Sequence, residues 1–280
     1  MSAPAVADAA PVAVGSNPFN PRAVLALVLF GAVVFVAMLW MIGSGMTSRP
    51  ENTADAHAGS KGLTGYAGLV RLLEAQGRTV TRARNENALQ GEGLVILTPP
   101  HWTDTKRLAK LVEDRRYVGP TIVILPKCSE MPAEKVALGQ GTKAQKGWVV
   151  LGDAESPEWG KQFEPQPLSP KIEKHSADRP AWSGLGLSGG LPDKRVQTVS
   201  APRLVSLVSD SRGGDLAGYL DDEGYYPDLA AAAEVESLGE NEGLYPVIVV
   251  AEPDLMNNYA MADRTRAMLA LELVSLASAG

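Results

Sequence analysis

The first apolar stretch of the chain extends from Ala23 to Ser48 and contains no ionisable side chain. The hydrocarbon core of a bilayer is about 30 Å thick, and a helix needs roughly 20 apolar residues to cross it. A cleaved secretory signal is the alternative interpretation, but its apolar region is usually about 7–15 residues long. The pattern therefore predicts a single transmembrane helix over residues 23–46, after a disordered tail at 1–22 and before a polar linker at 47–59.

After the linker, apolar side chains recur at helical spacing. Positions three and four residues apart carry Leu63, Tyr66, Ala67, Val70 and Leu73. This spacing places the five side chains on one face of an amphipathic helix, and Gly77 stands where such a helix would end. We therefore expect a helix over 61–76, followed by a short strand over 78–81.

Three continuous apolar runs, at 94–97, 121–125 and 247–251, are typical of strands that are buried on both faces. Between the first two runs, Thr103 can cap a helix that ends before a Gly-Pro pair. A strand, a helix and a second strand in this order predict a β-α-β unit with parallel strands.

The chain between the second and third runs has few regular apolar patterns. Eight prolines lie from Pro126 to Pro192, and such residues favour turns and irregular segments. Short strands are expected at 148–151, 203–209 and 216–220. The sequence thus predicts an α/β domain over 60–280, with a mostly parallel sheet between helices, a partly β insertion at about 127–200 and a closing helix over 261–277.

Composition narrows the possible partners and chemistry. The formal net charge is −6 and no basic cluster is visible, whereas binding to nucleic acid needs clustered Lys and Arg.

Cys128 is the single cysteine of the sequence, which excludes an internal disulfide and a multi-cysteine metal site. The acidic run at 221–223 is interpreted as a solvated face, because metal sites and general acids need carboxylates that converge in a pocket. We expect no nucleic-acid partner, no metal and no cofactor.

Two glycine-rich motifs overlap between Gly184 and Gly190. One matches the dinucleotide-binding pattern G-x-G-x-x-G, and the other matches the nucleophile pattern G-x-S-x-G. Both patterns act at a turn that leads from a strand into a helix. Here Pro180 precedes the motifs and Pro192 follows them, so an ordinary glycine-rich loop is the preferred interpretation.

Cys128 is the candidate nucleophile because it follows the run 121–125, and open α/β sheets place functional groups beyond the carboxyl ends of their strands. A catalytic thiol also needs a base, and His101 follows the neighbouring run by a few residues. The segment 126–129 lacks the glycines that a sharp turn requires, so a bystander cysteine is the alternative.

The segment that links the last apolar run to the closing helix is rich in polar side chains. Asp254, Asn257 and Asn258 can cap the helix and bind nearby backbone amides. Alternatively, they form a polar rim at the carboxyl edge of the sheet that binds a small ligand or a partner.

Two segments, together with the N-terminal apolar stretch, resemble a known family. The first is Gly65-Tyr-Ala-Gly-Leu-Val-Arg-Leu-Leu-Glu-Ala-Gln-Gly77 before a strand, and the second is Asp254-Leu-Met-Asn-Asn258 before a helix. Over roughly residues 23–278 the chain resembles the bacterial membrane-anchored family known as domain of unknown function 4350. That family is related in fold to class I glutamine amidotransferases and to gliding-motility and intraflagellar-transport domains.

The resemblance implies a class I glutamine amidotransferase-like or flavodoxin-like α/β domain, usually extracytoplasmic and often encoded near a MoxR-type ATPase. The Cys-His-Glu machinery of the amidotransferases does not carry over, because no elbow motif matches it here. Members of the family commonly have a second membrane span after the final helix. The chain stops at Gly280, so we expect either a shorter relative or a missing C-terminal part.

Three functions remain open at this stage. The first is a non-catalytic module that binds a partner protein or a small ligand in a MoxR-associated envelope system. The second is a cysteine-dependent hydrolase or amidotransferase-like enzyme that uses Cys128 and His101, and the third is an accessory subunit of a membrane transporter. We expect single-pass localisation in the inner membrane, with the bilayer contacted through residues 23–46, a membrane or envelope protein as partner and the soluble domain on the extracytoplasmic side.

Overall fold

The structure of the chain is a computed structural model that describes residues 21–43, 56–83, 85–133, 148–237 and 239–279. Its helices are α1 Pro21–Gly43, α2 Ala67–Ala75, α3 Thr105–Arg115, α4 Pro227–Ala232 and α5 Arg264–Ala279. Its strands are β1 Val95–Leu97, β2 Thr121–Ile124, β3 Cys128–Pro132, β4 Val149–Ala154, β5 Ser169–Lys174, β6 Ala181–Gly184, β7 Leu187–Gly190, β8 Arg195–Ser200, β9 Leu204–Asp210, β10 Asp215–Leu220 and β11 Val247–Val250. The chain divides into two compact units, Met1–Arg49 and Pro50–Gly280.

Helix α1 occupies most of the predicted transmembrane segment. Its side chains are described without interruption from Val24 to Trp40, and all of these are exposed.

Among the described residues, no helix has both the length and the apolarity that a membrane crossing requires. This finding contradicts the prediction of a transmembrane helix over 23–46 and the prediction of single-pass localisation in the inner membrane. Most of the predicted tail at 1–22 and of the predicted linker at 47–59 lies outside the described residues.

The predicted β-α-β unit is present. Strand β1, helix α3 and strand β2 follow one another, and β1 pairs with β2 in parallel, with Val95 opposite Thr121. Strand β11 pairs with β2 in parallel on the other side, with Val247 also opposite Thr121. Three parallel strands therefore stand side by side in the order β1, β2, β11.

The remainder of the sheet is antiparallel, which contradicts the predicted fold class. The main strand order is β1-β2-β11-β10-β9-β6-β7, and the pair β5 and β8 branches from β10. Every pairing beyond β11 is antiparallel, and β3 and β4 form a separate antiparallel pair. The described sheet is thus mixed and strand-rich, and it is neither mostly parallel nor sandwiched by helices in the class I glutamine amidotransferase or flavodoxin manner.

A short connection explains the antiparallel pairing of β6 with β7. Parallel strands need a crossover of a dozen or more residues, whereas a two-residue turn returns the chain antiparallel. Strands β6 and β7 are joined by Leu185 and Gly186, whose φ angles are 52° and 70°. Positive φ at both positions is typical of the type I′ turn that makes tight hairpins. The glycine-rich motifs of the sequence therefore form a β-hairpin, with no strand-to-helix turn.

The central strands β2 and β11 are buried completely and contribute to two cores. Alternate side chains of a strand point to opposite faces of the sheet. One core contains Ile122, Ile124, Ile248 and Val250 together with Leu69, Leu73, Leu269 and Leu273 of helices α2 and α5. The other contains Val123, Leu125, Val247 and Val249 together with Leu108 and Val112 of helix α3.

Three local predictions differ from the structure. Helix α2 begins at Ala67, later than predicted, since the preceding loop packs closely on itself: a Cβ at Gly65 would lie 2.3 Å from the Ser60 carbonyl oxygen. Segment 78–81 is not a strand and joins no sheet. Helix α3 is capped by Asp104, whose Oδ1 accepts a hydrogen bond from the Arg107 amide at 3.1 Å, while Thr103 donates to Pro100.

Candidate functional site

A buried ionic cluster lies beyond the carboxyl ends of β2 and β11. The ammonium group of Lys127 lies 2.6 Å from Glu252 Oε1 and 2.5 Å from Asp254 Oδ2, and it donates a third hydrogen bond to the Arg195 carbonyl at 3.1 Å. Lys127 follows β2 and the two carboxylates follow β11. Because parallel neighbours end at the same edge of a sheet, these three side chains meet.

Further polar groups complete this cluster. The Gln197 amide donates to Glu252 Oε2 at 2.8 Å, and the Gln197 side chain donates to the carbonyls of Ala251 and Pro126. The Asn257 side chain donates to Asp254 Oδ1 at 2.7 Å. All four carboxylate oxygens of Glu252 and Asp254 thus accept at least one hydrogen bond. The arrangement satisfies its members internally, as buried polar groups require.

The charges of the cluster do not balance, because one ammonium faces two carboxylates. Burial raises the pKa of Glu252 to about 7, although Lys127 acts in the opposite direction. Burial disfavours the ammonium form of Lys127, but Glu252 and Asp254 together outweigh it and raise the pKa of Lys127 above its ordinary value. Protonation of Glu252 near neutral pH relieves the excess negative charge.

The cavity beside the cluster is small. It is lined by Lys127, Cys128, Asp193, Asp254, Tyr66 and Tyr259, among others. The space open to the centre of a water-sized sphere is about 20 Å³, which is enough for about one water molecule. A substrate does not fit into this cavity as it stands.

The environment of Cys128 disfavours a nucleophilic role. Burial raises the pKa of its thiol to about 11, and Lys127 and Arg195 only partly oppose this. The charged groups that act on the thiol are Lys127, Arg195, Asp254 and Asp193. His101 does not line the cavity that Cys128 lines. Burial lowers the pKa of His101, and Glu155 opposes this shift.

The three predicted rim residues all bind within the protein. Asp254 and Asn257 belong to the ionic cluster, and Asn257 Oδ1 also accepts from the Ala260 amide at 3.0 Å. The Asn258 side chain donates to the carbonyls of Ser60 and Gly62 and accepts from the Gly68 amide at 2.7 Å. These bonds correspond to the structural alternative stated for this segment, in which the side chains hold backbone groups in place.

One acidic residue lies in an environment that the sequence did not indicate. Asp222, interpreted above as solvated, has a buried side chain whose Oδ2 lies 2.8 Å from Arg116 Nε. The Tyr226 hydroxyl donates to Asp222 Oδ1 at 2.7 Å. This ion pair joins the end of α3 to the segment between β10 and α4.

Sequence reasoning also missed Lys127 and Gln197. A lysine directly after a buried strand was a usable signal for Lys127, since an unpaired lysine there would be costly to bury. Gln197 gave no such signal, because its role depends on how β8 approaches the ends of β2 and β11. Among the described residues, no group of three or more His, Cys, Asp or Glu side chains is arranged to hold a metal ion.

A larger open space lies beside β1. Two cavities, of about 400 and 610 Å³, share the lining residues Ala58, Thr79, Thr81, Gly93, Leu94, Ile96 and Thr98. Segment 78–83 lines one side of this space and β1 lines the other. We refer to this space, between residues 78–83 and 93–98, as the β1 groove.

The β1 groove combines apolar and cationic groups. Leu69, Val70 and Leu73 of α2 and Val274 of α5 line its first cavity. Arg78 lines the first cavity, and Arg82 and Arg107 line the second. In the described part of the chain, neither cavity is lined by a carboxylate.

The fold and its sites define an α/β domain with a mixed sheet, a closed ionic cluster at the carboxyl ends of its parallel strands and an open groove at its edge. The sequence profile of the family described as "Domain of unknown function (DUF4350)" matches residues 58–274, and the chain belongs to this family. The family resemblance of segments 65–77 and 254–258 is thereby confirmed. Comparison with curated proteins and comparison with solved structures each find no match to the chain.

Proposed function

We propose that the domain is a non-catalytic binding module whose site is the β1 groove, and that its ligand is a partner protein or a small molecule. The observation that carries this proposal is the contrast between the two candidate sites. The ionic cluster encloses room for about one water molecule, whereas the β1 groove opens cavities of about 400 and 610 Å³. Pockets that bind drug-sized ligands are typically about 300–1,000 Å³.

The internal bonding of the ionic cluster supports the same proposal. A general acid or base must reach the proton that it transfers, yet Glu252 and Asp254 are held by Lys127 and by backbone or amide donors. A catalytic thiol must form a thiolate, and the pKa of Cys128 is raised. These contacts are appropriate for a structural cluster that holds β8 against the ends of β2 and β11.

The experiment fills the groove without disturbing the backbone. Gly93 lines both cavities, and a Cβ placed on it meets no atom within 4 Å. The Gly93→Trp variant therefore places an indole ring in the groove. Glu158→Trp, at an exposed position whose side chain is 81% accessible, is the matched control.

A photo-reactive amino acid at Thr81, on the wall of the groove, is used to trap the bound molecule in cells that contain the protein. We expect the same adduct with the otherwise unchanged chain and with the Glu158→Trp background, and its loss in the Gly93→Trp background. Adducts that persist unchanged with Gly93→Trp would show that the groove is not the binding site.

A further inference from the structure

Three exposed tyrosines are gathered at the edge of the sheet where β2 and β11 begin, opposite the edge that carries the ionic cluster. Tyr117 lies shortly before β2, and Tyr245 lies shortly before β11. The Tyr245 amide donates to the Arg116 carbonyl at 2.7 Å. Tyr225 follows β10, and the hydroxyl of its neighbour Tyr226 donates to the Tyr245 carbonyl at 3.2 Å. The exposed fractions of Tyr117, Tyr225 and Tyr245 are 64%, 46% and 37%.

A further segment extends this group of tyrosines. The Tyr225 amide donates to the Asn241 carbonyl at 3.0 Å, and the Asn241 amide donates to the Glu223 carbonyl at 3.1 Å. Asn241 stands between Glu240 and Glu242, and all three are exposed. The tyrosine surface, as we call it, consists of Tyr117 and residues 223–226, 235–237 and 239–245.

A pocket of about 210 Å³ opens at the tyrosine surface. Its lining includes the apolar side chains of Val205 and Val235 and the carboxylates of Asp221 and Glu236, and the described lining contains no Lys or Arg. Pockets for drug-sized ligands are typically about 300–1,000 Å³. The smaller volume found here is appropriate for one side chain of a partner.

Two arginines border the tyrosine surface, and each is neutralised within the chain. Arg116 Nη1 lies 2.9 Å from Glu113 Oε2, and Arg116 Nε lies 2.8 Å from Asp222 Oδ2. Arg203 Nη2 lies 3.5 Å from Asp221 Oδ2. These arginines therefore do not balance the other carboxylates of the surface.

The excess negative charge of the tyrosine surface defines the charge of its partner. Glu236, Glu240 and Glu242 are exposed, and among the described residues their side chains take part in no hydrogen bond or ion pair. The sequence has no Lys or Arg from residue 213 to residue 263. Such a surface attracts cationic groups and repels anionic ones. Two copies of the chain that met through this surface would bring their carboxylates together.

We propose that the tyrosine surface binds a basic segment of a partner protein, and that an arginine of this segment enters the pocket beside Glu236. A guanidinium group binds a carboxylate through two hydrogen bonds and stacks on aromatic rings, whereas the ammonium group of a lysine is a point charge. Exposed tyrosines together with free carboxylates therefore favour arginine. Within their described linings, the β1 groove and the tyrosine surface share no residue, so this inference is independent of the proposed function.

The test uses the full chain and a labelled peptide of six arginines, acetylated and amidated, with a matched peptide of six lysines. Fluorescence anisotropy measures binding at about 0.15 M salt, where charges more than roughly 8 Å apart are largely screened. The double variant Glu240→Lys with Glu242→Lys reverses the charge of the tyrosine surface. The double variant Glu74→Lys with Glu158→Lys changes the net charge equally, at exposed positions outside it.

We expect the arginine peptide to bind at least about threefold more tightly than the lysine peptide, because only its side chains stack on the tyrosines. Reversal of charge at Glu240 and Glu242 should weaken binding at least about tenfold, and the variant at Glu74 and Glu158 should weaken it less than about twofold.

Two aromatic substitutions test the stacking. Tyr225→Ala should weaken binding of the arginine peptide at least about threefold, because it removes an exposed ring. Trp102→Ala removes a more exposed ring outside the tyrosine surface, with 76% accessibility, and should leave binding unchanged.

The opposite results would overturn the inference. Equal weakening by the two charge variants would show that the peptide responds to net charge and not to the tyrosine surface. Equal binding of the two peptides, or an unchanged affinity of Tyr225→Ala, would exclude arginine stacking. No binding of the arginine peptide at about 1 mM would exclude the basic partner, because this limit corresponds to only about −4 kcal/mol. None of these results changes the outcome of the Gly93→Trp experiment, which tests the β1 groove.

Discussion

The side chains of Lys127 and Glu252 lie 2.6 Å apart, and this contact joins the carboxyl ends of the neighbouring parallel strands β2 and β11. Asp254 approaches the same ammonium group, so that two carboxylates share one cation in a region with little access to water. The excess negative charge makes the cluster sensitive to pH and to the removal of any member.

We expect the contribution of Glu252 to the stability of the domain to fall as the pH rises from about 4.5 to about 7. The pKa of Glu252 is raised from 4.5 to about 7 in the folded chain, so the folded state retains a proton that the unfolded state has lost. The stabilisation that this retained proton provides is complete below pH 4.5 and is lost as the pH rises through 7. The corresponding change in the free energy of unfolding is on the order of 3 kcal/mol.

The variant Glu252→Gln tests this dependence, because it has no titrating carboxyl at the site. Its stability should be lower overall, since an amide cannot accept all the hydrogen bonds of a carboxylate. The fall in stability that Glu252 causes over this pH window should be absent from this variant. Urea unfolding followed at several pH values gives the comparison, and the exposed Glu158→Gln variant is the control. A slope in Glu252→Gln equal to that of the unchanged chain would contradict the assignment to Glu252.

Removal of the cation should be more damaging than removal of an exposed one. Lys127→Met leaves two buried carboxylates without a counter-charge, and breaking a buried pair in this way costs about 3–5 kcal/mol. Lys161→Met breaks the exposed pair with Glu158 and should cost less than about 1 kcal/mol. Chemical unfolding measures both. Similar losses for the two variants would mean that the cluster contributes no special stability.

The thiol of Cys128 should react slowly in the folded chain. It is buried and its pKa is about 11, so the thiolate fraction is small at pH 8. We expect labelling by an aromatic disulfide reagent to be at least about a hundredfold slower in the native chain than in urea, where the ordinary thiol pKa returns. Since Cys128 is the single cysteine, the unfolded chain is its own control. Rapid labelling of Cys128 in the native chain would support the interpretation of Cys128 as a nucleophile.

Arg115 should maintain the loop that borders the β1 groove. Its buried guanidinium donates to the carbonyls of Leu89, Gly91, Gly93 and Pro120, and burial lowers its pKa. Arg115→Met should cost about 2 kcal/mol, because hydrogen bonds from a charged donor are lost. Hydrogen exchange of residues 89–95 should accelerate in this variant and remain unchanged in the exposed control Lys110→Met. Unchanged hydrogen exchange of residues 89–95 in Arg115→Met would show that Arg115 does not maintain this loop.

Elements with strong local patterns were predictable. The runs at β2 and β11 are uniformly apolar because both of their faces are buried, and the structure places alternate residues in two different cores. The closing helix and the β-α-β unit follow from spacing and capping signals of the same local kind. The family membership was likewise available from short segments, and it covers residues 58–274.

The pairing partners of the strands were harder to predict from the sequence. The strands β9 and β10 were expected near their observed positions, but the parallel direction assigned to the sheet as a whole was wrong. The apolar content of a segment indicates whether the segment is buried. The direction in which two strands pair depends instead on the lengths of the connections and on which strand edges remain free. Segment 78–81 shows a second limit of the sequence. Its composition favours a strand, but in the structure it is not part of any sheet.

The sequence by itself determined which segments would be buried, because burial follows from the period of apolar side chains along each element. It also determined that one cysteine and a net charge of −6 would limit the available chemistry. Only the tertiary structure decided which polar residues meet, because Gln197 within β8 is brought to Lys127 beyond β2 and to Glu252 beyond β11. The β1 groove was decided in the same way, since its lining comes from segments 78–83 and 93–98 and from helices α2 and α5, which are distant in sequence.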